Sequence, residues 1–94
     1  IKGIGSPHTP KDYVWHISLI MQALTSSNEG EVAEILKCLL NSHAGTFYMH
    51  EGVNANDSNE FTRPWFAWAN SLFAMLIIEI LPNINEIMKQ VEKV

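Results

Sequence analysis

Phe61-Thr62-Arg63-Pro64-Trp65-Phe66-Ala67-Trp68-Ala69-Asn70-Ser71-Leu72-Phe73 is the stretch from which the fold is read. Pro64 suits the first turn of a helix, where a missing N–H removes no bond, and Thr62 stands at the entrance. From Trp65 to Leu81 the residues are apolar all round except for Asn70, Ser71 and Glu79, and Pro82 ends the run. A helix apolar on every side belongs inside a bundle. The segment from about Asn83 differs. Ile84, Ile87, Met88, Val91 and Val94 share one face, with Glu86, Lys89, Gln90, Glu92 and Lys93 around the rest. That spacing predicts an outer helix packed on an inner one.

The first half has the same order. Residues 1–10 hold two glycines and two prolines and read as a loop. Thr9 as N-cap, Pro10 as first helical residue and Asp12 three positions after Thr9 predict a helix from about Pro10. Val14, Ile17, Ile20, Met21 and Leu24 form one apolar face, and Trp15 and Leu19 add a second strip, so this helix is expected to be buried nearly all round. After a turn at 25–28, Asn28 and Glu31 have capping-box spacing. The helix from about Glu29 to Ser42 has a core face of Val32, Ile35, Leu36, Leu39 and Leu40. The expectation is an all-α unit of two inner/outer pairs, about 10–42 and 64–94, joined by the long loop 43–63. The halves repeat at about fifty residues. Stacked αα-hairpins of this kind place both loops that enter inner helices at the same end.

The chain has 94 residues, enough for one small domain. It opens at Ile1 in a loop and is expected to be a piece of a longer protein. Apolar residues make up 47% and charged ones only 17%. So little charge implies that some apolar surface meets further helices. Net charge −4, with six scattered basic residues, argues against a nucleic-acid partner. The seventeen-residue run from Trp65 to Leu81 falls short of the roughly 20 that span a membrane and carries Asn70, Ser71 and Glu79, so no membrane partner is expected. One cysteine, Cys38, permits no internal disulfide. It is expected to be buried and inert, in keeping with a reducing compartment such as the cytoplasm.

Chemistry concentrates in the loop 43–63, since long loops in compact domains are often functional. It carries Tyr48-Met49-His50-Glu51. Glu51 could act as a base, with His50 and Arg63 setting its ionisation and the aromatic helix excluding water. On residue chemistry alone a solvated loop glutamate is the commoner case. Trp65, Phe66, Trp68 and Phe73 could stack on a sugar ring, although core packing claims most aromatics at helical spacing. His50-Glu51 lacks the second histidine of a zinc-protease motif, Asn54 standing in its place, and Cys38 with His43 has the wrong spacing for a zinc module. No metal is expected. His8, between Pro7 and Thr9-Pro10, is the better candidate for ligand contact. His16 reads as a satisfied helix residue and His43 as a helix C-cap. Ser6 lacks a nucleophile elbow, and Gly3 with Gly5 makes no dinucleotide fingerprint.

Four motifs then fall in order: Gly3 to Pro10, Val14 to Ser26, Ala44 to Glu51, and Phe61 to Phe73. Together they resemble glycoside hydrolase family 125, whose members are exo-acting α-1,6-mannosidases. The likeness runs from residue 3 to about 73. It implies an (α/α)6 barrel of which this chain is the C-terminal part, the rest coming from a missing N-terminal part. It also implies inverting hydrolysis of a terminal α-1,6-mannoside from an oligosaccharide, with no metal or other cofactor. Glu51 falls on the family's Met-His-Glu glutamate and is taken as the general base. His8, His50 and Arg63 fall on motif positions expected to line the mannose subsite, with Trp65 beside them. Gly52-Val53 replaces the usual Ser-Phe, and Ala74-Met75 the usual Gly-Glu. An inverting enzyme also needs an acid, and Asp57, Glu60 and Asp12 are poor candidates. The alternative is a non-catalytic helical module that binds carbohydrate or packs on a partner.

Overall fold

A computed structural model of the chain describes residues 2–7 and 9–93, Lys93 by its backbone alone. Ile1, His8 and Val94 lie outside the described residues, so the place of Val94 on the last apolar face does too. Among the described residues there are four α-helices: α1 (His16–Thr25), α2 (Glu29–Leu40), α3 (Ala67–Ile80) and α4 (Ile84–Lys93). A 3₁₀ turn at Leu81–Asn83, holding Pro82, separates α3 from α4. By length and composition Ala67–Glu92 is apolar enough to cross a membrane. That run is nonetheless broken at Pro82, and its second half is amphipathic, with Ile87 buried in the core.

Inner helices α1 and α3 pack on each other, as do outer helices α2 and α4, and α2 also packs on α1. The core between them is Leu19, Ile20 and Ala23 of α1, Val32, Ala33, Ile35, Leu36 and Leu39 of α2, Ala69, Leu76 and Ile80 of α3, and Ile87 of α4. Asn28 caps α2 through Oδ1, which accepts from the Glu31 N–H at 3.1 Å. Cys38 is half-buried rather than enclosed.

Two features differ from the all-α expectation. The first is a three-stranded antiparallel sheet of β1 (Tyr13–Trp15), β2 (Gly52–Asn54) and β3 (Asp57–Thr62), in that order. Residues 10–15 are therefore not helix, and α1 starts at His16. Thr9-Pro10 makes a turn instead of a cap: the Thr9 N–H and hydroxyl both donate to Ser6 O, and Tyr13 N–H donates to Pro10 O. Asp12 then adopts φ 68°, a left-handed conformation that a helix cannot contain. The aromatic and β-branched run Tyr13-Val14-Trp15 suits a strand and has a partner, Val14 facing a fully buried Val53. Within the loop 43–63, β2 and β3 form a hairpin whose turn is an Asx turn, with Asn54 Oδ1 accepting from Asn56 N–H.

The second difference is in α3. It is apolar all round but covered on one side only among the described residues. Trp68, Met75 and Ile78 are exposed, and so are Met21 of α1 and Leu81. Four helices do not surround an inner helix.

The sheet, more than the helical repeat, brings the two loops together. Trp15 N–H donates to Ile4 O at 2.8 Å, and the Thr9 side chain lies against Gly52, next to Glu51. Gly5 makes this approach possible, since a Cβ there would sit 2.6 Å from the Tyr13 carbonyl oxygen. Gly5→Ala is accordingly expected to destabilise the protein by about 1–3 kcal/mol through a forced backbone shift. Chemical denaturation checks this, and an unchanged midpoint would contradict the close approach.

Candidate active site

Residues 43–51 are ordered by side chains more than by regular structure. His43 follows α2, and its Nδ1 accepts from the Gly45 and Phe47 N–H groups while its carbonyl accepts from Thr46. Three residues further on, the chain becomes extended and is gripped from both inner helices. Asn70 of α3 closes on Met49: Oδ1 accepts from the Met49 N–H at 3.0 Å, and Nδ2 donates to the Met49 carbonyl at 3.0 Å and to Phe66 O at 2.8 Å. His16 of α1 closes on the next two residues. Its Nδ1 accepts from the His50 N–H at 2.8 Å, and its backbone N–H donates to Glu51 O at 3.2 Å. The Glu51 N–H donates to Thr62 O of β3. Glu51 is thus anchored through its main chain, which leaves the carboxylate to the site.

That carboxylate faces a cleft of about 740 Å³ lined by Glu51, Arg63, Trp65, Phe66, Ala67 and Trp68. Glu51 is only 15% exposed at its side chain, and the guanidinium of Arg63 pairs with it, Nε to Oε1 at 3.4 Å. Arg63 also lies 5.6 Å over the ring of Phe66, and Phe66 meets Trp68 edge-on. Trp65 and Trp68 are exposed. Arg63 has φ 49°, unusual for a residue with a side chain and more so before a proline. Such strain costs on the order of 1–3 kcal/mol and gathers where side-chain placement matters.

Glu51, Arg63 and Trp65 therefore meet in one cleft. His8 lies outside the described residues. His50, expected to line the subsite, instead has its ring enclosed by protein. It is fully buried, stacked 4.0 Å from Phe61 and 5.4 Å from His16, with Nδ1 2.8 Å from Pro64 O and Nε2 3.1 Å from His43 O. It supports the wall from behind. His16 is a satisfied helix residue, as expected, and stands at the first position of α1; Asn70, a polar interruption of the apolar run, is the second residue that grips the segment. In each case the available signal was the same: a lone amide or imidazole in an otherwise apolar inner helix must bond something specific. Among the described residues no three His, Cys, Asp or Glu side chains are grouped to hold a metal ion.

Comparisons with known proteins identify the family. The model of the metal-independent α-mannosidase family, GH125, matches residues 1–78. A solved structure from Streptococcus pneumoniae superimposes with a TM-score of 0.83 and 36% identity. It belongs to a family of metal-independent α-mannosidases and is a non-productive complex with α-1,6-mannobiose; the match covers 87% of this chain and 19% of that one. The meiotically up-regulated gene 157 protein of Schizosaccharomyces pombe is 48% identical over 90 residues, 96% of this chain and 18% of that protein. This chain belongs to the GH125 family of metal-independent α-mannosidases. It spans less than a fifth of the length of either relative.

Two outcomes follow from the grip on Met49 to Glu51. Burial, reinforced by the neighbouring His50, lowers the pKa of His16 from 6.5 to about 4. Between those values the unfolded chain takes up a proton that the folded chain refuses. Stability is therefore full above pH 6.5 and falls as the pH drops to about 4, by on the order of 3 kcal/mol from this group. Urea midpoints across that range should fall less steeply in His16→Asn, and equal slopes would remove His16 from the effect. Asn70→Leu leaves the Met49 N–H unpartnered and should cost about 1–3 kcal/mol. A stability loss below about half a kcal/mol in the same titration would count against the Asn70 clamp.

Proposed function

We propose that this chain is the C-terminal section of an (α/α)6 barrel, and that the barrel is an inverting exo-α-1,6-mannosidase acting on oligosaccharides. The observation that carries this reading is the meeting of Glu51, Arg63 and Trp65 in one cleft of a GH125 chain. The exposed apolar side of α3 supports the missing remainder of the barrel. Glu51 is the general base. Its carboxylate takes a proton from water as the water oxygen attacks the anomeric carbon, and a separate acid protonates the departing glycosidic oxygen. Arg63 holds the carboxylate in place by charge. Trp65, with Phe66 and Trp68 in the same cleft, offers apolar ring faces to the sugar, and His8 is assigned to the same subsite. His50 contributes from within the wall.

Among the described residues Glu51 is the one carboxylate that lines the cleft. Inversion needs two, about 6.5–9.5 Å apart. The acid therefore comes from another part of the enzyme, and residues 1–94 by themselves do not hydrolyse mannosides. Release of mannose from α-1,6-mannobiose by the isolated 94 residues would refute that.

In the full natural polypeptide that carries this chain, Glu51→Gln is expected to lower kcat by about 10²- to 10⁴-fold. Mannose affinity measured by calorimetry should stay within a few-fold. A single carboxylate is also what a non-catalytic sugar-binding module would present. Mannose binding with no turnover in the unsubstituted full polypeptide would favour that module instead.

A further inference from the structure

His16 is the first residue of α1, directly after β1. It meets the Glu51 segment twice. Its backbone N–H donates to the Glu51 carbonyl at 3.2 Å, and its side-chain Nδ1 accepts from the His50 N–H at 2.8 Å. These two bonds bracket the His50–Glu51 peptide. A backbone N–H can only donate, so Nδ1 carries no proton and the neutral ring bears its proton on Nε2. Nε2 in turn donates to Ser42 Oγ at 2.9 Å, and the Ser42 hydroxyl donates to Leu39 O at 3.1 Å. His16 and Ser42 are both buried, and the His16 ring is stacked at 20° on that of His50. The chain of donors runs one way, from the base-bearing segment into the end of α2, and fixes the tautomer of His16.

We propose that His16 is a positioning residue for Glu51: Nδ1 fixes the Met49–His50 peptide, and with it the backbone that carries the carboxylate into the cleft. This rests on the reading of Glu51 as the general base. His16 touches neither the sugar nor the water. A side chain that only filled the volume would leave the buried His50 N–H without an acceptor, and the Met49–His50 peptide would rotate to find one, shifting the backbone that leads into Glu51. A small misplacement of a catalytic group is costly in rate while substrate binding through other residues persists.

The test separates the two ring nitrogens. Asn carries an acceptor at the δ position, where Nδ1 stands. Gln reaches the ε position and puts a carbon atom at δ. In the full natural polypeptide, assayed on α-1,6-mannobiose, His16→Asn should keep kcat within about threefold. His16→Gln should lower kcat by about 10²-fold with KM little changed, although both variants melt at similarly reduced temperatures. Ser42→Ala removes the Nε2 partner but spares Nδ1. It should lower the melting temperature and leave kcat in place. Equal losses in the Asn and Gln variants, or a loss in Ser42→Ala as large as in His16→Gln, would make the network purely structural and overturn the proposal. Should His16→Gln fail to fold, Asn and Ser42→Ala decide, since a kcat loss near 10²-fold in either is incompatible with a role for Nδ1. Glu51→Gln is run alongside. Full turnover there overturns the base assignment itself, whereas an inactive Glu51→Gln with equal His16 variants overturns only the positioning role.

Discussion

Everything in this structure depends on how three consecutive residues, Met49, His50 and Glu51, are held without being part of the sheet or of a helix. Extended backbone inside a protein must find partners for its N–H and C=O groups, because an unpaired buried group costs about 1–3 kcal/mol. Here the partners come from the inner helices. Asn70 takes both groups of Met49, His16 takes the N–H of His50 and the carbonyl of Glu51, and β3 takes the N–H of Glu51. A site residue in a loop is usually as mobile as the loop. Glu51 escapes this because α1 and α3, which pack on each other, also hold its backbone from two sides.

The helical frame was largely legible. Apolar periodicity located all four helices, because amphipathic or all-apolar patterns over ten or more residues have few other solutions. The ends and the sheet were not. Thr9-Pro10 carries the composition of a helix entrance, but the same residues serve a turn, and only the distant partner Gly52–Asn54 decides between them. Asp57 to Thr62 is polar and turn-rich in composition, yet it is an edge strand whose Asp57, Asn59 and Glu60 side chains face water. Strand pairing is a long-range property, and short polar strands leave almost no local trace.

The candidate site was legible in part, for a related reason. Glu51, Arg63 and Trp65 stand in motifs close to one another in sequence, and the cleft unites them. His16 and Asn70 act across 34 and 21 residues of chain. Their partners are backbone groups, which have no sequence identity to read. His50 shows the reverse error. Its place in the motif suggested ligand contact, but a side chain one position from an outward carboxylate on extended backbone points the other way. Alternation along this extended backbone puts the His50 ring into the wall and the Glu51 carboxylate into the cleft.

The short link from β3 to α3 completes the geometry. Between Thr62 and Ala67 the chain must turn from a strand that supports Glu51 into a helix that walls the cleft. A left-handed residue turns backbone sharply, and glycine would adopt that conformation without cost. The position is instead Arg63, at φ 49°, immediately before Pro64. A glycine there would give up the guanidinium that pairs with Glu51 and lies over Phe66. The ion pair alone is too exposed to offset the strain, because a surface pair contributes about 0–1 kcal/mol. Folding stability therefore does not account for arginine at this point. Placement of a cation beside the carboxylate does, and it is the same logic that puts a histidine, where leucine would suit the core, behind the peptide of Glu51.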